Sequence, residues 1–553
     1  MAHPPGSLSR SLLRFSLTCP VPGPQNVNGS LARPSSVSHT NEVLRLSDSV
    51  YSVDVLTADL SPAFARPFSL APAARLALLT PVVLLVHGYH PFADDAGIYV
   101  AGVRRLLDPS LYPVNAAFVT AHTRFSIFAY ILAGVVRHLG LPLAWLLFTT
   151  HLISIFAFLS ACRMVAFRLF VTHSARWCAV YLAAACFTLP AAGTALSLMD
   201  PYVTARSFST PLSLFAVAAC IDRKWFRALL LLLLTGLMHP LMAVFAIMFV
   251  ILHAFVAAGR VRTAIVLCLA ACAASGLVFA AAHHLPVSPA YREAMQLRPF
   301  LFLARWQWFE VLGLVLPLLL LSLAAWKLGI STTKGAVCFT CVLLGVAGVL
   351  VAALFVPPSG PFPLVPFQVL RSFHLIYLLG VLLLGGILDQ LRWKSGPAAG
   401  CVFAGLLFLM FGVQRILWAD SSPIESPTTH MANPWEQAFL WIRANTPPDA
   451  VFAFNPHLGA LPGEDQQGFR AISERDQLAD DKDAGVAALL PPLADRWLRE
   501  SNAEMAVDSM TDADRLAALR PLGANWLLLA PNANTALPCP YSNRVVKVCR
   551  LSI

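Results

Sequence analysis

Long apolar runs separated by short polar connections constrain the fold of this chain more than any other feature. Many of them hold about 17 to 25 residues, the length that a helix needs to cross roughly 30 Å of hydrocarbon. Only 12% of the residues are charged and 57% are hydrophobic, whereas about 25% are charged in ordinary soluble proteins. Leu- and Ala-rich runs of this length indicate helices, because barrel strands alternate over about ten residues. The sequence therefore predicts an α-helical polytopic membrane protein.

Charge placement predicts the topology. When the N-terminus lies inside, every inward connection carries at least two Lys or Arg residues, as the positive-inside rule requires. Counting the polar stretch from Asn115 to Leu139 as a further span would reverse this bias, so we expect it to lie as a helix on the membrane interface. The C-terminal region is then outside. The eleven predicted spans are 74–88, 142–162, 177–196, 207–221, 226–238, 240–258, 263–282, 308–326, 335–356, 368–390 and 398–417.

Three regions follow from this topology. Residues 1–73 are rich in Ser and Pro and predict a disordered cytoplasmic tail, with a misassigned start codon as an equally good explanation. Residues 74–418 form the transmembrane module, which has a long first periplasmic loop at 89–141. Residues 419–553 have the composition of a soluble domain outside the membrane.

The last region predicts a small extracytoplasmic α/β domain, because helical and strand-like segments alternate in it. Its two cysteines, Cys539 and Cys549, leave a disulfide and two free thiols as equal alternatives. Helices are predicted at Trp435–Asn445, Pro491–Glu500 and Asp512–Leu519, and strands at Val451–Phe454, Trp526–Ala530 and Val545–Cys549.

The net charge of +10 does not indicate a nucleic-acid partner. From Asp420 onward there are 11 Lys and Arg against 17 Asp and Glu, which leaves 28 against 12 in the remainder of the chain. The excess of positive charge therefore belongs to the tail and the membrane loops, where topology explains it.

Polar residues gather at the outer face of the predicted bundle. Each has an ordinary explanation as a helix cap, a turn or an interfacial side chain, but most of them lie on one side of the membrane. At about 100° per residue, the three at the start of the tenth span would share one helix face. The candidates are Asp94 and Asp95 in the first outer loop, Asp200, Tyr202 and Arg206 in the second, His239 in the third, and Gln368, Arg371 and His374 at the tenth span.

This set of side chains suits transfer of a group from a lipid phosphate. A carboxylate can accept a proton from a hydroxyl group, and Arg pairs with phosphate oxygens. Asp95 and Asp200 could share a divalent metal ion, the only cofactor that we expect. Two other acidic stretches, Gly463–Asp465 and Asp480–Asp483, are interpreted as solvated loops rather than as a metal site.

These features resemble the C-type (GT-C) superfamily of integral membrane glycosyltransferases, which includes protein O-mannosyltransferases and the bacterial aminoarabinose transferase. The resemblance lies in Asp94-Asp95 after the first span, the long first loop, the acidic second loop at Asp200 and the outer C-terminal domain. It is strongest for a bacterial branch that has similar motifs at Met199–Ser207, Leu237–Pro240 and Phe469–Arg475. A GT-C-like fold is therefore expected.

The resemblance implies a glycosyltransferase of the bacterial inner membrane. Its donor would be a polyprenyl-phosphate sugar, and its acceptor a lipid-linked glycan, a polysaccharide or a protein in the periplasm. Asp94 or Asp95 would be the base, Asp200 a second acidic residue, and Arg206 or Arg371 a phosphate contact. The other candidates, Tyr202, His239, Gln368 and His374, would contact substrate.

Two departures from the superfamily bear on these roles. Mannosyltransferases tend to have Asp-Glu where this chain has Asp94-Asp95, and aminoarabinose-transferase relatives have Lys-Gly-Pro where it has His239-Pro240. The alternative function is a lipid-linked glycan transporter or a non-catalytic envelope-glycan assembly protein. Ionisable groups confined to one face favour the enzyme, since transporters place them near the midplane.

Overall fold

The structure is a computed structural model and describes residues 71–390, 396–458 and 468–552. Residues 1–70 of the predicted tail and the acidic stretch Gly463–Asp465 lie outside these ranges. The described residues belong to one compact unit, in which a helical bundle is followed by a five-stranded sheet with its own helices.

Helices account for the apolar part of the chain. In residues 71–390 and 396–417 they are α1 Pro72–His87, α2 Asp95–Leu107, α3 Ala116–Val119, α4 Phe128–Leu139, α5 Leu143–Leu169, α6 His173–Ala185, α7 Arg206–Ile221, α8 Trp225–Met238, α9 Pro240–Ala257, α10 Val261–Ala282, α11 Pro289–Gln296, α12 Trp308–Leu328, α13 Thr333–Phe355, α14 Ser372–Gln390 and α15 Gly396–Leu417.

Seven helical segments of the described residues are long and apolar enough to cross a membrane, which makes the chain a multi-pass membrane protein. The four other predicted spans overlap the shorter helices α1, α6, α7 and α8. The seven segments are Leu143–Leu169, Pro240–Ala257, Val261–Ala282, Trp308–Leu328, Thr333–Phe355, Val365–Asp389 and Gly400–Leu417.

The predicted span 177–196 is wrong in its extent. Helix α6 ends at Ala185, and the chain then folds back on itself, with Leu198 N–H donating to the Leu189 carbonyl at 2.9 Å and Met199 N–H to the Phe187 carbonyl at 2.8 Å. Pro190 lacks an N–H and cannot extend the helix. This hairpin-like segment delivers the chain directly to Asp200.

The stretch from Asn115 to Leu139 does not form one continuous helix. It consists of α3, a 3₁₀ turn at His122–Arg124, and α4. Helix α4 buries Phe128 and Leu132 while it leaves Tyr130 and Ile131 exposed, so it is an amphipathic helix packed on the bundle.

The C-terminal region is the predicted α/β unit. The helices are α16 Pro434–Asn445, α17 Phe469–Ser473, α18 Asp481–Leu489, α19 Ala494–Glu504 and α20 Asp512–Leu519, and the strands are β1 Val451–Ala453, β2 Asp476–Gln477, β3 Trp526–Leu529, β4 Tyr541–Ser542 and β5 Lys547–Arg550. Each of the six predicted elements overlaps one of these. The sheet has the strand order β2-β1-β3-β5-β4, in which β2, β1 and β3 are parallel and β3, β5 and β4 are antiparallel.

The C-terminal unit packs tightly against the first loop. Apolar side chains of α2 share one buried cluster with Phe439, Phe452 and Phe469 of the C-terminal unit. Asn115 donates its side-chain amide to Glu500 Oε2 at 2.8 Å and to the Gln477 carbonyl at 2.7 Å. These contacts place the N-terminus of α18 beside the N-terminus of α2, where the candidate carboxylates lie.

Candidate functional site

A cavity of about 600 Å³ opens where the first loop, the α8–α9 turn, the segment before α14 and helix α18 meet. Six of the nine candidate residues line it, together with five charged or imidazole side chains that were not predicted as site residues. The six are Asp94, Asp95, Arg206, His239, Gln368 and Arg371, and the five are His122, Arg298, Asp480, Asp481 and Lys482.

Asp94 and Asp95 reach the cavity from the start of α2. Asp94 has a φ of +44°, a conformation that is uncommon for any residue other than glycine. Such outliers persist where the surroundings enforce them and are concentrated at functional sites. The Tyr202 hydroxyl donates a hydrogen bond to Asp94 Oδ2 at 3.0 Å. The side chain of Asp94 is 48% exposed and that of Asp95 is 30% exposed.

Arg206 connects the two acidic loops. Its guanidinium is buried and donates to Asp200 Oδ2 from Nε at 3.2 Å and from Nη2 at 2.9 Å, while Nη1 donates to Asp95 Oδ2 at 2.8 Å. The second-loop candidates therefore act together, because Arg206 and Tyr202 hold Asp95 and Asp94 in place.

Lys482 is the fifth charged member of this cluster, and the sequence interpretation missed it. Its ammonium forms ion pairs with Asp94 Oδ1 and, at 3.3 Å, with Asp95 Oδ1. The predicted solvated loop at Asp480–Asp483 is wrong, because Asp480 caps α18 by accepting a hydrogen bond from the Asp483 N–H at 2.9 Å. An acidic run with one lysine has the composition of a solvated loop, so only the tertiary packing identifies this residue.

The charges in this cluster stabilise one another. Burial alone would raise the pKa of Asp95, but the nearby Lys482 and Arg206 outweigh it and hold that pKa well below its usual range. Burial would lower the pKa of Lys482, but Asp94 and Asp95 raise it. Burial also raises the pKa of Asp200, and Arg206 opposes that shift. At neutral pH, Asp95 is ionised and Lys482 is a cation.

Arg371 also lies in the cavity, but unlike Arg206 it is not paired with a carboxylate in the described part of the chain. Its guanidinium sits 5.6 Å from the centre of the Phe300 ring, and it has no salt bridge with any described residue. Its buried Nε has no hydrogen-bond partner there, and neither do His239 Nδ1 and Gln368 Oε1. Buried polar groups are nearly always paired in native proteins, so these three atoms indicate a place for a polar ligand.

The predicted common helix face for Gln368, Arg371 and His374 is wrong. Gln368 is left-handed, with a φ of +45°, and a 3₁₀ turn at Val369–Arg371 precedes α14, which begins at Ser372. This backbone turns Gln368 and Arg371 into the cavity. His374 is buried elsewhere, with Nε2 3.0 Å from the Leu198 carbonyl, so it supports the second loop and does not line the cavity.

The predicted metal ligands Asp95 and Asp200 do not fit a divalent ion in this arrangement, because the Arg206 guanidinium lies between them. No group of three or more His, Cys, Asp or Glu side chains in the described residues is placed to hold a metal ion. A hard cation such as Mg²⁺ needs several oxygen ligands of its own.

Two further cavity residues were not predicted as site residues. His122 is half-buried, and its buried Nδ1 has no partner among the described residues. Arg298 donates Nη2 to the Lys482 carbonyl at 3.1 Å and so connects the membrane loops to α18. Neither residue lies in a sequence pattern that distinguishes it from other loop residues.

Comparisons with known proteins add a family match and a structural likeness. The model of a domain of unknown function (DUF6798) matches residues 433–488, a stretch that includes Lys482. No curated protein sequence matches the chain. Among solved structures, the chain is similar to the archaeal oligosaccharyltransferase AglB from Archaeoglobus fulgidus in complex with an inhibitory peptide and a dolichol-phosphate. The identity is 12%, the coverage is 83% of this chain and 69% of that chain, and the TM-score is 0.40.

Proposed function

We propose that this protein is a GT-C-type glycosyltransferase that moves a sugar from a polyprenyl-phosphate donor to a hydroxyl group of an acceptor. The observation that supports this most directly is the composition of the 600 Å³ cavity. The adjacent carboxylates Asp94 and Asp95 lie there together with the Arg371 guanidinium, which has no carboxylate partner among the described residues. The carboxylates can then receive a proton from one substrate while the guanidinium binds the anionic group of the other.

Asp94 is the better base of the two adjacent carboxylates. Asp95 pairs with both Arg206 and Lys482, which lower its pKa and weaken it as a proton acceptor. Asp94 pairs with Lys482 alone and is the more exposed side chain. A general base must reach the substrate hydroxyl directly or through one water molecule, and exposure to the cavity allows this.

Arg371 is the better phosphate contact of the two candidate arginines. Arg206 already donates to Asp200 and Asp95, whereas Arg371 has donors to spare. In the proposed step, the acceptor oxygen attacks the anomeric carbon and its proton passes to Asp94. The bond between that carbon and the phosphate oxygen breaks, and the lipid phosphate leaves with the electron pair. Arg371 would stabilise its charge.

Apolar residues next to Arg371 provide a place for the first isoprene units. Phe300, Leu301 and Pro366 line the cavity near this arginine, and Met238 and Leu241 flank His239. Ligand sites combine such apolar walls with a few convergent polar groups. A lipid-linked anion matches this combination better than a free sugar phosphate does.

We place the site on the periplasmic side of a bacterial inner membrane, with the N-terminus in the cytoplasm. The charge distribution of the loops supports this orientation. The Cys539–Cys549 disulfide also supports it, since disulfides persist mainly in oxidising compartments. The acceptor would then be a lipid-linked glycan, a polysaccharide or a protein outside the cytoplasm.

Binding of undecaprenyl phosphate to the purified protein, followed by native mass spectrometry, tests the anion site. We expect Arg371→Ala to weaken binding at least tenfold. Arg305→Ala should leave it unchanged, because Arg305 donates to the Gln296 carbonyl and does not line the cavity. Equal binding by wild type and Arg371→Ala would contradict the assignment.

Envelope glycans from cells that carry Asp94→Asn test the catalytic role. Loss of general-base catalysis typically costs 10²–10⁴-fold in rate, so we expect the same glycan defect as in a deletion strain while the variant remains stably inserted. Unchanged glycan output would favour the transporter or assembly function instead.

A further inference from the structure

The carboxylates of the first loop take one of their counter-ions from the C-terminal unit. Lys482 Nζ contacts Asp94 Oδ1 and lies 3.3 Å from Asp95 Oδ1. The lysine side chain is only 17% exposed. A lysine held this closely by two carboxylates from a distant part of the chain differs from a surface ion pair, whose long side chains remain free to move.

The first turn of α18 holds this lysine firmly. Asp480 caps the helix, and Asp483 accepts hydrogen bonds from the Arg470 guanidinium at 2.8 and 3.1 Å. The Trp497 indole donates to the Asp480 carbonyl at 2.9 Å. Lys482 therefore extends from a backbone that is fixed on both sides of it.

Five of the six carboxylate oxygens in the cluster already face a cation or a hydroxyl donor. Lys482 faces one oxygen each of Asp94 and Asp95, Arg206 faces the other oxygen of Asp95 and one of Asp200, and Tyr202 faces the other oxygen of Asp94. A divalent ion would need several of these oxygens at about 2.0–2.6 Å. It could bind only after a protein cation had left.

We propose that Lys482 takes the place of a divalent metal ion at the Asp94–Asp95 pair. Its ammonium pairs with both carboxylates and orients them without a metal, and the C-terminal unit thereby completes the site. The consequence for sugar transfer rests on the proposed function, whereas the exclusion of metal from the carboxylates does not. Lys482 is a positioning residue in this proposal, because it acts through Asp94 and Asp95.

Mn²⁺ binding, measured by electron paramagnetic resonance on the purified full-length protein, tests the exclusion of metal. We expect little binding to wild type and at least a tenfold gain in affinity for Lys482→Ala, which leaves two carboxylates without that cation. Lys482→Arg should stay like wild type. Lys547→Ala is the matched control, because the Lys547 ammonium binds the Ala533 carbonyl.

The gain in affinity must depend on the two carboxylates. Adding Asp95→Asn to Lys482→Ala should abolish it, and the unfolding temperature of each variant shows whether it is folded. If the unfolding temperature of Lys482→Ala falls well below that of wild type, Lys482→Gln provides the same test with a longer side chain. Tight Mn²⁺ binding by wild type that Asp95→Asn removes would overturn the proposal, as would a folded Lys482→Ala that gains no affinity.

Transfer activity provides a second readout. Wild type should be insensitive to a chelator, and Lys482→Ala should lose at least 90% of its rate and recover part of it with added Mn²⁺. Inhibition of wild type by the chelator, reversed by Mn²⁺, would overturn the proposal. If no variant shows transfer, the proposed function fails, while the Mn²⁺ measurements still decide the role of Lys482.

Discussion

Arg206 and Asp200 form a buried pair in which one carboxylate oxygen accepts two hydrogen bonds, from Nε at 3.2 Å and Nη2 at 2.9 Å. The two residues are six positions apart in the sequence, at the turn that leads into α7. The third nitrogen of the same guanidinium, Nη1, donates to Asp95, so this local pair also fixes the first loop.

Replacement of Arg206 by Ala should destabilise the protein strongly. It would leave Asp200 buried without a counter-ion, and breaking a buried pair in this way costs about 3–5 kcal/mol. Unfolding in detergent would measure the change. The double variant Arg206→Ala/Asp200→Ala should lose less than the sum of the single losses, since it removes both charges. Lys224→Ala is the control, because its pair with Asp222 is exposed and should contribute about 0–1 kcal/mol.

Tyr202→Phe should slow the proposed reaction without preventing donor binding. The Tyr202 hydroxyl donates to Asp94 Oδ2 at 3.0 Å, and a hydrogen bond to a charged group contributes about 1.5–3 kcal/mol. Loss of that bond frees the base to move, so we expect kcat to fall about tenfold while KM for the donor stays nearly constant. An equal rise in KM would instead place Tyr202 in donor binding.

The architecture was largely predictable from the sequence, because apolar length and loop charge are properties of the chain alone. Helix α20 matches its predicted bounds, Asp512–Leu519. The predicted span 177–196 failed after Ala185, because long-range backbone hydrogen bonds replace the helix there. Composition cannot reveal such pairing.

The site was predictable only in part, for a physical reason. Asp94, Asp95 and Arg206 lie in short polar loops between spans, where an ionisable group is conspicuous. Lys482 lies in a soluble unit where charges are common, and only the packing of α18 against the first loop makes it significant. Gln368 and His374 do not share the helix face that the sequence predicted, because a left-handed residue and a 3₁₀ turn replace the first part of the expected helix.

His122 should make the folded protein less stable in mild acid. Burial, the largest effect, lowers its pKa, with Lys482 and Arg206 acting in the same direction and Asp95 opposing them. The unfolded chain then binds a proton at about pH 6.5, before the folded protein does. The stabilisation is therefore complete above that pH and is lost as the pH falls through the lower, folded pKa.

Unfolding measured at pH 7.5 and 5.5 checks this dependence. Wild type should lose more stability across this interval than His122→Asn, which cannot titrate. Asp95 does not contribute in this window, since its pKa lies well below it. Equal losses in the two proteins would assign the pH dependence to another group.

The Cys539–Cys549 disulfide connects β5 to the segment before β4. The two cysteines are 10 positions apart in the sequence. For a loop of this length, the loss of chain entropy in the unfolded state predicts about 2–3 kcal/mol of stabilisation. Changing both cysteines to Ala should reduce the stability of the C-terminal unit by about this amount. Cys401→Ala is the control, because Cys401 is a free thiol.

Thiol labelling tests the bond and the proposed side of the membrane together. In spheroplasts, a membrane-impermeant maleimide should label Cys539 and Cys549 only after reduction, because the bond protects both thiols and the proposed topology exposes the C-terminal unit to the outside. Labelling without reductant would contradict the disulfide. Protection that persists after reduction in spheroplasts, but disappears in lysed and reduced membranes, would place this unit in the cytoplasm. The whole carboxylate cluster would then face the cytoplasm too, since Lys482 joins it to the same unit.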